Sequence, residues 1–135
     1  MATSVIKPDG VHFAQIPWTP EIKAGDTVIT PDDVQAYAFR SGQLIFLSLL
    51  VWCSPLSGNT EEVSVSLPAG SAVPRLYGPV GYFANSASFP NLHTIIPGQG
   101  ASIMKFEYGS GGSIAIIKGS EIGHFQCSLL YVTSQ

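Results

Sequence analysis

Ten prolines, at positions 8, 17, 20, 31, 55, 68, 74, 79, 90 and 97, cut most of the chain into short pieces, and fourteen glycines add further breaks. Proline fixes φ and has no N–H to donate, so helices of ordinary length find little room. The pieces between the breaks are rich in Val, Ile, Phe, Tyr and Thr. Several place an apolar residue at every second position, as half-buried strands do.

Residues 62–67 show the pattern most cleanly, with Val63, Val65 and Leu67 facing one way and Glu62, Ser64 and Ser66 the other. Residues 102–108 alternate too, with Met104, Phe106 and Tyr108 inward and Lys105 and Glu107 outward. A glycine-rich turn at 109–112 then leads into 113–117, which reads as a β-hairpin. Further strands are expected at 11–16, 27–30, 35–40, 43–53, 92–96 and 124–133. Asp32 and Asp33 offer an alternative, capping a short helix to Phe39 that Ser41-Gly42 would end within two turns. Residues 76–90 have no clear period and read as a long ordered loop or an irregular edge, carrying Tyr77, Tyr82, Phe83 and Phe89. Eight or nine short strands with Gly and Pro punctuation predict an all-β fold, an antiparallel two-sheet β-sandwich of the jelly-roll kind. Residues 1–17 are expected to form an N-terminal arm and 18–135 a single sandwich domain.

One strand bears on assembly. Between residues 44 and 53 both alternating faces are apolar: Leu44, Phe46, Leu50 and Trp52 on one, Ile45, Leu47, Leu49, Val51 and Cys53 on the other. A sandwich sheet has only one core face, so the second face needs a folded-over segment or another subunit. Residues 129–132 repeat the pattern, and two such strands favour a subunit. Composition agrees: charged residues are 11% of the chain, against about a quarter in an average soluble protein. So sparse a charge suits a surface partly covered by neighbours, and a homo-oligomer, a trimer by preference, is expected.

The chemistry-bearing residues point away from catalysis. His12, His93 and His124 are far apart in sequence and none has a ligand-spaced partner, so no metal or cofactor is expected. His124 and Cys127 fall on opposite faces of one strand and cannot act as base and nucleophile. Cys53 and Cys127 form no CxxC pair and read as free buried thiols. Glycines 98, 100, 109, 111 and 112 lack the following Lys and Ser or Thr of a phosphate loop and read as turns. Asp26, Asp32 and Asp33 have oxygens suited to calcium, but turn residues are commonly Asp without any ion. A net charge of −3 without a basic run argues against nucleic acid. No apolar stretch reaches the roughly 20 residues of a membrane span. Trp52, inside an apolar run, is expected in the core, and Trp18 at a strand edge; the tyrosines and tryptophans leave a carbohydrate-binding module open as an alternative.

Trp18-Thr19-Pro20, Tyr37, Gly42-Gln43-Leu44 and the run from Val63 to Pro68 together resemble small β-sandwich modules of bacteriophage virion proteins. The resemblance implies a particle-bound, oligomeric, non-enzymatic protein that assembles in the host cytoplasm. Capsid decoration, or cement, is the favoured location, with a tail fibre or receptor-binding tail component as the alternative. The partners implied are the chain itself, the major capsid or tail proteins, and a host surface glycan. Interface candidates are Val5, Ile6, Val11, Phe13 and Ile16 of the arm, with Tyr82, Phe83 and Phe89 of the 76–90 segment.

Overall fold

The computed structural model describes residues 4–6, 13–70, 75–84, 88–98, 100–110 and 112–134. Among them every regular element is a strand. In chain order these are β1 (Ser4–Ile6), β2 (Phe13–Ile16), β3 (Ile22–Ala24), β4 (Thr27–Val28), β5 (Asp33–Ser41), β6 (Leu44–Trp52) and β7 (Val63–Ser66). Then come β8 (Leu76–Gly78), β9 (Val80–Phe83), β10 (His93–Ile96), β11 (Ile103–Ser110), β12 (Ser113–Ile116) and β13 (Phe125–Val132). They form two antiparallel sheets packed as a β-sandwich. One runs β1-β2-β5-β6-β13-β9; the other runs β4-β3-β7-β11-β10-β8, with β12 paired to β11.

Period-two alternation builds the core. The inward residues of β6 and β13, Ile45, Leu47, Leu49 and Val51 with Phe125, Cys127, Leu129 and Tyr131, are all buried. They meet Ile22, Val63, Val65, Ile96, Met104 and Phe106 of the other sheet in one cluster. Phe83, Phe106 and Phe125 pack ring against ring at its centre, with centroids 4.8 to 6.2 Å apart. Tyr131 fastens one end, its hydroxyl donating to the Ala69 carbonyl at 2.9 Å and accepting the Ala69 N–H at 3.2 Å.

The structure decides between readings that the sequence left open. Residues 33–41 are strand and not a capped helix: β5 pairs residue for residue with β6, and Gly42 (φ 58°) with Gln43 closes the two-residue turn between them. The 76–90 segment is an irregular edge rather than one long loop, and it holds two short strands. β8 joins the edge of one sheet and β9 the edge of the other, and Pro79 makes the corner between them. Gly78, Pro79 and Gly81 interrupt the apolar alternation of β8 and β9, and the three residues of β3 are too few to show one. Lastly, the second face of residues 44–53 is not buried within the chain.

Residues 4–6 and 13–16, read as parts of an N-terminal arm, lie on the six-stranded sheet: β1 pairs with β2, and β2 with β5. Adding strands at an edge satisfies backbone groups that would otherwise face water.

Candidate functional site

Cross-strand partners share a face of a sheet, so the register fixes what the outside of the six-stranded sheet presents. On β5, β6 and β13 the outward positions form successive rows: Asp33 with Trp52; Gln35, Leu50 and Gln126; Tyr37, Ser48 and Ser128; Phe39, Phe46 and Leu130; Ser41, Leu44 and Val132. One of these residues, Asp33, is charged. Most of the large apolar ones are exposed, among them Trp52 at 44%, Phe46, Leu44, Tyr37, Leu130 and Val132. Trp52 therefore belongs to the surface and not to the core, because position 52 falls on the outward side of β6.

The outside of the seven-stranded sheet is built differently. Lys23 lies opposite Ser64, and His93 opposite Glu107. Lys105 donates to Glu62 at 2.6 Å, and His93 Nε2 lies 2.9 Å from Glu107 Oε1 while Nδ1 faces the Asn91 carbonyl at 2.7 Å. Glu107 is buried by this contact, a pairing of residues 14 apart that register alone creates. Beside Lys105 lies a polar hollow of about 390 Å³ lined by Glu61, Glu62, Thr60, Ser64 and Ile103. Among the described residues the molecule thus has one charged, ion-paired face and, across β5, β6 and β13, one face almost without charge.

The outer apolar face divides along the strands. Its lower end, Phe39, Leu44, Phe46, Leu130 and Val132, is aliphatic and aromatic, with the Phe39 and Phe46 rings 6.5 Å apart. Its upper end mixes rings with polar groups. Trp52 stands 4.9 Å from the His124 ring, and Tyr82 lies directly opposite Gln126. His124 Nδ1 accepts the Cys53 N–H at 3.0 Å, which puts the proton of the neutral ring on Nε2. About six residues of β6, roughly 20 Å at strand rise, separate Trp52 from Phe46.

The cysteines take no part in this surface. Both are free and buried. The Cys53 thiol donates to the Gly123 carbonyl at 3.1 Å; burial first, and the Asp32 charge second, push it up to about 11. Burial alone pushes Cys127 up to about 12. Cys127 points into the core while His124 stands outside. Among the described residues no three of His, Cys, Asp and Glu converge as metal ligands. Asp26 sits in the β3–β4 turn, and Asp33 is turned to its neighbour, Oδ1 accepting the Val34 N–H at 2.9 Å.

Of the residues singled out from the sequence for an interface, Tyr82 is exposed on the outer face. Phe83 and Phe89 are not available: both are core, Phe83 opposite Phe125 and Phe89 edge-on to Phe83 and to Tyr108. Ile16 packs half-buried against the core, and Phe13 is half-buried on β2. Val5 and Ile6 belong to β1, and Val11 lies outside the described residues. Trp18 sits at a strand edge, its Nε1–H donating to the Ser66 carbonyl at 3.2 Å. The two-faced pattern of 129–132 already points Leu130 and Val132 at a subunit contact, whereas Phe39 joins this face only through the pairing of β5 with β6. Comparison with protein-family models, with curated proteins and with solved structures finds no match.

Proposed function

We propose that the chain is a non-enzymatic structural protein of a bacteriophage particle, a homo-oligomeric β-sandwich on the exterior that stabilises the shell as a decoration protein. The observation that carries this reading is the difference between the two outer faces. A free monomer has no reason to leave the outer face of β5, β6 and β13 with a single carboxylate at its rim while the outside of the other sheet carries ion pairs. A subunit has one, since desolvating an uncharged face costs little.

The occupant of the lower end is a second copy of this chain. Its exposed side chains amount to roughly 350 Å², within the size at which bare apolar patches mark interaction sites and a substantial part of the roughly 800 Å² per partner of a stable interface. Copies meeting around a closed symmetry axis, a threefold by preference, cover one another's patches without leaving a sticky end. The charged face is then left to solvent. A tail-fibre or receptor-binding position is the second reading, favoured by the exposed Trp52 and Tyr82 at the far end of the same face.

Density-gradient fractionation of cells that naturally produce this chain tests the particle location. The chain is expected to co-sediment with intact particles and to be accessible there to antibody. Recovery only at the top of the gradient, with free proteins, would remove the virion reading.

A further inference from the structure

We infer that the upper end of the outer face is a binding site for a neutral oligosaccharide, formed by Trp52, Tyr82, His124, Gln126, Gln35 and Asp33. Trp52 and Tyr82 are 44% and 55% exposed, on the same side of β6 and β9, the two strands that flank β13. Two strand spacings and two residues of rise separate them, roughly 12 Å between their Cα positions. That interval suits a short run of linked sugar rings, with one platform under each end.

The polar groups around the two rings are unemployed. Among the described residues the Trp52 indole N–H, the Tyr82 hydroxyl, the His124 Nε2 and the side-chain amides of Gln35 and Gln126 have no hydrogen-bond partner in the chain. Asp33 uses only Oδ1, on the Val34 N–H. A pyranose ring has an apolar C–H face that stacks on an aromatic ring and a rim of hydroxyls that both donate and accept. Rings flanked by free amides, a carboxylate and an indole N–H match both features.

Other occupants fit less well. An apolar protein surface would bury these groups unpaired, at a cost the largely apolar lower end carries far less of. A nucleic acid or an acidic sugar would bring negative charge to a cluster that contains Asp33 and neither Lys nor Arg. The site is also distinct from the assembly contact, since the Phe46 and Leu130 row lies several residues away along the strands.

A printed array of neutral and acidic oligosaccharides, probed with the full-length chain, tests the inference. Retention on one or more neutral oligosaccharides is expected. Titration of the best of them should show a loss of about tenfold or more in affinity for Trp52→Ala and for Tyr82→Ala. Gln126→Ala, which removes an amide and no ring, should weaken binding while leaving the fold intact, and melting curves for all three variants control for unfolding. A variant with a charged lower end, Leu130→Asp, should keep its affinity per chain, so loss of assembly and loss of sugar binding read out separately. No retention on any oligosaccharide, retention on acidic ones only, or equal affinity in the Trp52 and Tyr82 variants would overturn it.

Discussion

Leu130 of β13 lies directly opposite Phe46 of β6 on the outside of the six-stranded sheet, and the two are 51% and 37% exposed. Their chain neighbours Leu129 and Leu47, turned inward, are both buried. Folding of the single chain therefore draws on Leu129 and Leu47, while Leu130 and Phe46 contribute little to it. Leu130→Ser is expected to change unfolding free energy by no more than about 0.5 kcal/mol, the usual range for surface positions. It should nevertheless weaken self-association, measured by the concentration dependence of sedimentation.

Tyr131 offers the opposite case. It is buried, and its hydroxyl both donates to and accepts from the backbone of Ala69, tying the loop after β7 to β13. Tyr131→Phe keeps the ring and leaves two backbone groups unpaired, so a loss of about 1–3 kcal/mol is expected in urea unfolding. Oligomer mass should be unchanged, because the residue faces the core.

Gly78 on β8 is fixed by lack of space. A Cβ there would overlap Cδ1 of Leu129 and come 2.6 Å from Oγ1 of Thr94, a buried hydroxyl that itself lacks a partner. Gly78→Ala should cost about 1–3 kcal/mol through overpacking, read as a lowered melting temperature. Gly42→Ala, in an open hairpin turn, meets no such neighbour and should cost only the strain of its positive φ.

The buried thiols make stability fall at high pH. Burial raises both, Cys53 to about 11 and Cys127 to about 12, from an ordinary value of 9.0. The folded state thus favours the neutral thiol, and this contribution is complete below pH 9. It is lost as pH rises from about 9 through 11 and 12, because the unfolded chain ionises first. Unfolding midpoints measured across that window should decline, and a Cys53→Ala, Cys127→Ala double variant should decline less steeply. At neutral pH the native protein should resist iodoacetamide, and two thiols should react once it is unfolded.

Much of this architecture was legible in the sequence because long strands write a clear period. The nine residues of β6 display both faces, so the existence of a second apolar face was readable from Leu44, Phe46, Leu50 and Trp52. What could not be read was whether that face is covered. A hydrophobic residue at an outward position looks the same in sequence as one turned inward, and so the apolar run alone points Trp52 to the core. Phe83 and Phe89 went astray in the reverse sense: β9 is too short for its own alternation to tell inside from outside, and only its pairing with β13 does so. Neither the His93–Glu107 contact nor the separation of charged and uncharged faces has a local signal, since both arise from strand order and register.

Equilibrium sedimentation of the full-length chain at micromolar concentration, beside a Phe46→Asp, Leu130→Asp double variant, tests the assembly face most directly. The wild-type chain should sediment as a closed oligomer, a threefold multiple of 14.3 kDa by preference, and the variant as a folded species of 14.3 kDa. A wild-type chain that remains a soluble monomer of 14.3 kDa, or a variant that assembles as well as the wild type, would contradict the claim that this sheet face joins copies of the chain.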